Sequence, residues 1–180
     1  GWSADPPSNG GATSGRGCRS FTSTARWCSL NHHHAGAATT AAANVLIGGW
    51  AGDAITTGSN NVGIGLGALG ANTTAHENTA IGTSAMVLNT TGEYNTALGR
   101  NALAANTTAD HNTGLGRLAL YANTTGASNV AIGSSAMQVN TTGANNIAIG
   151  QAALDANTTG GDAGGSVAIG SGALGAQTTA

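Results

Sequence analysis

Lysine is absent from this 180-residue sequence, and phenylalanine occurs once. Charged residues make up 7% and aromatics 3%, against about 25% charged in an ordinary soluble domain. A chain so poor in large apolar groups cannot fill a conventional globular core. The five arginines (Arg16, Arg19, Arg26, Arg100, Arg117) are scattered and the formal net charge is -2. With no basic stripe interleaved with aromatics, nucleic-acid binding is not expected. No apolar run approaches the roughly 20 residues that span a bilayer, so membrane insertion is not expected either. No signal peptide is visible and the first residue is Gly1 rather than Met. The reading is a chain that is processed, fragmentary or incompletely read at its start.

Cysteine is also scarce. Cys18 and Cys28 are the only two, ten residues apart. In an extracellular setting they are candidates for one structural disulfide closing a short loop, worth about 2–3 kcal/mol on the chain-entropy model. Two free thiols are the alternative, and spacing does not decide between them. His32-His33-His34 lie nearby, but three consecutive histidines cannot all face one ion on a regular element, so no metal site is expected. Pro6-Pro7, Gly10-Gly11 and their serine-rich flanks read as turn and linker. Residues 1–43 are therefore taken as a non-repeat connector.

What the sequence has in abundance is one unit, repeated over residues 44–180. Copies of 17 residues start at Asn44, Asn61, Asn78, Asn95, Asn112, Asn129 and Asn146. An eighth starts at Ser166, three residues late, which places a small insertion near 161–165. With positions numbered from the leading Asn, position 4 is Ile or Leu, from Ile47 to Ile169. Position 5 is always Gly and position 8 always Ala, while 9 is Leu or Met except at Gly52. Positions 13 and 14 are Thr-Thr, preceded by Asn in six copies. Positions 15 to 17 vary and carry His76-Glu77, Glu93, Asp110-His111 and Asp162, as expected of a solvent-facing tip. Such strict phasing argues against disorder.

Positions 2 to 4 are short, rich in β-branched residues and alternate in size, so they read as a strand. Side chains at 2 and 4 face one way, and the small residue at 3 faces another backbone. Gly at 5 ends the strand in a conformation or clearance that a Cβ forbids. Asn-Thr-Thr-Gly is turn chemistry. A period of 17 is too short for helical repeats, which run from about 33 residues. The expectation is an all-β parallel β-solenoid, or β-roll, of eight coils. Each coil would have two short strands and two turns, and the rod would be roughly 38 Å long at about 4.8 Å per coil. Equivalent Asn and Thr side chains should stack in ladders. One coil is expected to bury about one Ile or Leu, one Leu or Met, two Ala and sometimes a Val, worth a few kcal/mol at about 25 cal/mol per Å². Ordering each residue costs about 1–2 kcal/mol. A lone thin solenoid is thus marginal, and a homotrimeric fibre is expected. The last coil stops at Gln177-Thr178-Thr179-Ala180 without a polar cap, and an uncapped end is a sticky edge that something should continue or cover.

The segment Asn146-Ile147-Ala148-Ile149-Gly150-Gln151-Ala152-Ala153-Leu154-Asp155-Ala156-Asn157-Thr158-Thr159-Gly160 resembles the repeats of phage and phage-like tail-fibre proteins. The core Val167-Ala168-Ile169-Gly170 is similar to the head repeat of trimeric autotransporter adhesins, whose repeat is shorter. The second resemblance implies a left-handed roll assembled as a trimer. Together they imply an extracellular fibre segment of a virion tail, acting as a stiff spacer and in host-surface attachment. Its partners would be itself and a host-surface glycan or protein receptor. The alternative is a bacterial or archaeal surface adhesin or appendage subunit. Residues 1–43 resemble no named family.

Sites were weighed against this background. His76-Glu77 and Asp110-His111 sit at similar turn phases, roughly 10 Å apart by coil spacing, and read as solvated turn residues. Gly63-Ile64-Gly65-Leu66-Gly67 imitates part of a dinucleotide fingerprint, but no α/β pattern surrounds it. Asn72, Asn89, Asn106, Asn123, Asn140 and Asn157 each head an Asn-Thr-Thr triplet, which matches the glycosylation acceptor pattern. An Asn ladder at the turn, which needs no glycan, is the favoured reading. Adjacent threonines leave one rank per coil, too narrow for an ice-binding plane. A polysaccharide-cleaving enzyme would need paired carboxylates, and Asp155 with Asp162 is a poor candidate pair. The expectation is a protein that is not an enzyme and uses no cofactor.

Overall fold

The computed structural model describes residues 17–21, 25–30, 41, 43–155 and 165–175. The His32–His34 triplet, Asn157, Asp162 and the four closing residues lie outside them. The fold is an all-β parallel solenoid, with no helix among the described residues. Ten strands form one sheet in strict sequence order: β1 (Gly17–Phe21), β2 (Ala25–Leu30), β3 (Asn44–Ile47), β4 (Val62–Ile64), β5 (Thr79–Ile81), β6 (Thr96–Leu98), β7 (Thr113–Leu115), β8 (Val130–Ile132), β9 (Ile147–Ile149) and β10 (Val167–Ile169). β1 and β2 are antiparallel; every later pair is parallel.

Register follows the repeat. Ile64 pairs Ile81, and Ala80 pairs Ala97, each a step of 17 residues. Between β9 and β10 Ile149 pairs Ile169, a step of 20 (169 minus 149). The three extra residues are therefore absorbed between these two strands without disturbing the ladder. The hairpin β1–β2 extends the same sheet: Trp27 pairs Asn44 and Cys28 pairs Val45 in parallel.

Among the described residues each coil contains one strand, not two. Positions 8 and 9 both point into the coil: Ala68 and Leu69, Ala85 and Met86, Ala102 and Leu103 are all buried. A strand cannot do this, because successive side chains alternate between its faces. The backbone instead forms linked turns. The N–H of Ala68 donates to the carbonyl of Gly65, Gly70 to Gly67, and Asn72 to Leu69. The residue at position 9 is left-handed, with φ of 55° at Leu69, 50° at Met86 and 52° at Leu103. That conformation costs roughly 1–2 kcal/mol for a side chain with a Cβ, and burying a leucine returns about 1.5–3 kcal/mol. Burial wins, and the turn persists through the stack.

The core is correspondingly thin. It holds alanine at positions 3 and 8 and Leu or Met at position 9, from Ala68 through Ala168. Position 5 glycines adopt φ between +125° and +138°. A Cβ at Gly99 would lie 2.6 Å from the backbone of Gly116 in the next coil, so clearance and conformation both demand glycine.

Candidate functional site

Two columns of asparagine run through the interior and fix the coil's shape. The leading Asn joins coil to coil: Asn61 Oδ1 accepts from the N–H of Asn78 at 3.0 Å, and Asn78 Oδ1 from that of Asn95 at 3.0 Å. The same side chain closes its own coil, since Asn61 Nδ2 donates to the carbonyl of Ala75 at 2.8 Å and Asn78 Nδ2 to that of Gly92 at 2.8 Å. The second column is position 12. Asn72 Oδ1 accepts from the N–H of Ala75 at 3.1 Å, and Asn106 Nδ2 donates to the carbonyl of Ala109 at 3.0 Å and to Asn89 Oδ1 at 2.9 Å. Turn formation thus comes from the Asn side chain; the left-handed residues are at 7, 9 and 17 instead.

This placement bears on the glycosylation triplets. Asn72, Asn89, Asn106 and Asn123 are fully buried and Asn140 is nearly so. Each turns its amide nitrogen onto backbone or a neighbouring Asn. In the folded coil that nitrogen has no room for a sugar. The threonines divide similarly. Position 13 hydroxyls donate to the next coil, as Thr90 does to the carbonyl of Thr107 at 2.9 Å. Position 14, from Thr57 to Thr142, is the exposed rank.

The expected titratable tip separates into two rows. His76, Glu93 and Asp110 stand at position 16; Glu77, Tyr94 and His111 stand at position 17. His76 Nδ1 accepts from the N–H of Ser59 at 3.0 Å, and Asp110 Oδ1 from that of Glu93 at 2.7 Å. The rings of Tyr94 and His111 stack, with centroids 5.0 Å apart and planes 4° from parallel. His76 and His111 therefore occupy different rows and are not brought together. Among the described residues no three His, Cys, Asp or Glu side chains converge as a metal site. Asp155 lies at position 10, away from both rows. The glycines of the 63–67 segment are structural: Gly63 faces the core, Gly65 sits in the inter-coil contact and Gly67 is left-handed at φ 67°.

Cys18 and Cys28 are direct partners across the β1–β2 ladder. Opposed residues in an antiparallel pair have Cα atoms about 4.5 or 5.5 Å apart, and both values fall within the range a disulfide spans.

The largest departure from the sequence reading is the strand's orientation. Position 3 faces inward: Ala80, Ala97, Ala131 and Ala148 are 0% exposed. The larger residues at 2 and 4 face out. Val45, Ile47, Leu98, Leu115, Ile147, Ile149, Val167 and Ile169 are all exposed, and Val62, Ile64, Ile81, Val130 and Ile132 are half-buried. They form a continuous aliphatic strip along one side of the rod, broken only by Thr79, Thr96 and Thr113 at position 2. The lumen, already filled by Leu or Met at position 9, has no volume for a second large side chain. Alternation within V-A-I made position 3 the inner or the outer one; size alone suggested the wrong choice.

Compared with models of protein families, with curated proteins and with solved structures, the chain gives no match. Its own geometry classifies it: a parallel β-solenoid repeat protein with coils of 17 residues.

Proposed function

We propose that this chain is a stiff segment of an extracellular fibre, built by self-association of parallel rods about a common axis as a homotrimer. The observation that carries the reading is the aliphatic strip at positions 2 and 4. It runs the length of the described coils, roughly 35 Å by 10 Å, and contiguous apolar surface of a few hundred Å² marks an interaction site. Three copies turning their strips inward would bury it and supply the large-residue core that the thin lumen lacks. The regular ladder outside would serve as spacer, with host-surface attachment through the variable turns or a neighbouring segment. A phage or virus tail fibre is the first setting, on the resemblance of Asn146–Gly160 to such repeats. A cellular surface adhesin is the second. The role is mechanical and adhesive, not catalytic.

Light scattering at micromolar concentration tests this. The expected mass is three chains, falling to one when Ile132→Asp and Ile149→Asp are combined. A monomeric wild type overturns the reading. Detection of the chain on purified virions separates the first setting from the second.

A further inference from the structure

The strip has two edges, and their charges are opposite. Strand β6 is preceded by Glu93 and followed by Arg100; strand β7 is preceded by Asp110 and followed by Arg117. Each acid comes seven residues before its arginine, so acid and base stand at the two ends of one strand, at one height along the rod. Arg100 and Arg117 are exposed and fall at the same position of successive coils, about 4.8 Å apart by ladder spacing. Neither forms an ion pair among the described residues. Two stacked guanidinium groups with no acid beside them are repulsive unless something supplies negative charge.

The strip carries Thr at position 2 from β5 to β7, which includes this height. β6 and β7 carry Thr and Leu at positions 2 and 4, while the neighbouring β8 and β9 carry Val or Ile throughout. Hydrophobic contact along so repetitive a ladder also fixes register poorly, since a slip of one coil only exchanges Val, Ile, Leu and Thr for one another. Charges at one height remove that degeneracy.

We infer that Glu93–Arg100 and Asp110–Arg117 form a register lock between copies of this chain: the arginine edge of one rod meets the acidic edge of the next. This rests on the self-association proposed above and adds direction and register to it. In a parallel arrangement about an axis along the rods, the trailing edge of one strip meets the leading edge of its neighbour. At zero axial shift Arg100 then faces Glu93 and Arg117 faces Asp110. In an antiparallel pair, like edges meet, and Arg100 is set against the neighbour's arginine edge. A one-coil slip leaves one arginine without its acid. Complementary charge of this kind selects among arrangements more than it adds affinity.

The test is a charge exchange within one strand. Glu93 and Arg100 make no side-chain hydrogen bond among the described residues, so Glu93→Arg, Arg100→Glu and the double exchange should all fold; circular dichroism and melting check that each does. Self-association is followed by sedimentation equilibrium. Each single reversal is expected to weaken it about tenfold, and the double exchange to restore it to within about twofold. Strengthening by Arg100→Glu alone would indicate the antiparallel arrangement and overturn the lock. An oligomer indifferent to both single reversals, or a double exchange no better than either, also overturns it while leaving self-association through the strip intact. A monomeric wild type removes both.

Discussion

Leu46 fills the space that Gly52 leaves empty. In the first coil the large residue stands at position 3 and the glycine at position 9, the reverse of the later coils. A Cβ on Gly52 would lie 2.7 Å from Leu46 Cδ1 and 2.9 Å from Ile55 Cδ1. Leu46 also reaches the next coil, where a Cβ on Gly63 would come 3.0 Å from its Cδ2. The first coil thus conserves core volume by exchanging two sites. Leu46→Ala is expected to cost about 2–5 kcal/mol through the cavity it opens, and Gly52→Leu to be destabilising through overlap. Combining them gives positions 3 and 9 the arrangement of later coils, with Ile55 still beside the new leucine, so the double variant should be more stable than the sum of the singles. Urea denaturation of the four proteins measures the coupling.

Two glycines in the same stack should behave differently. Gly99 has φ +138° and a Cβ there would lie 2.6 Å from Gly116 backbone. Gly67 has φ +67°, and its nearest contact would be Val87 Cγ2 at 3.9 Å. Position 7 already accepts Ser84, Asn101, Leu118 and Ala152 in that conformation. Gly67→Ala is therefore expected to cost about 1–2 kcal/mol, and Gly99→Ala to split the ladder or cost several times as much, read from melting curves.

The asparagine column makes a graded prediction. Asn95→Ala removes the acceptor for the N–H of Asn112 and the donor to the Ala109 carbonyl. Asn112→Ala removes only the acceptor for Asn129 N–H, because Asn112 Nδ2 has no hydrogen-bond partner. The Gly126 carbonyl that it would reach by analogy accepts from Asn123 alone, whereas the Ala109 carbonyl accepts from both Asn95 and Asn106. Each variant leaves one buried N–H unpaired, at about 1–3 kcal/mol, while the Ala109 carbonyl keeps its bond from Asn106. Asn112→Ala also removes an amide that is already unpaired, so Asn95→Ala should be the more destabilising by about 1 kcal/mol in the same denaturation assay.

Intact mass spectrometry addresses two covalent questions at once. The opposed placement of Cys18 and Cys28 leads to the expectation of a disulfide in protein purified without reductant, so an alkylating reagent should add mass only after reduction. The enclosed amides of Asn72, Asn89, Asn106, Asn123 and Asn140 lead to the expectation that no glycan mass is present. Alkylation before reduction would show free thiols, and a ladder of glycan masses would show attachment ahead of folding.

Much of this architecture is legible from period alone. Gly at 5 recurs because backbone packs against backbone there and Ala at 8 because it points into a thin core, and a residue with one acceptable size announces itself. The hidden parts involve conformations that composition does not encode. Leu69 and Met86 sit at positive φ, where leucine and methionine are normally disfavoured, so the expected second strand is absent. The orientation of β4 to β10 was hidden by scale: Ile at 4 is the larger residue, but whether it fits inside depends on how much lumen Leu69 or Leu103 already occupies. The charged edges were visible as letters. Their meaning needed the strand ends, which place Glu93 and Arg100 on opposite sides of one outward face.

The inter-coil hydrogen bonds run along the rod, from Val62 N–H to the Asn78 carbonyl on one side and from Gly65 N–H to the Ile47 carbonyl on the other. Tension on a fibre of this kind loads every such bond in a seam together, so a coil yields as one unit. Once free, 17 residues extend to about 55–60 Å of chain in place of about 4.8 Å of rod. A pulled rod should therefore lengthen in steps of roughly 50 Å, surrendering one turn at a time while the rest stays wound, a behaviour that would add shock absorption to the spacer role proposed above.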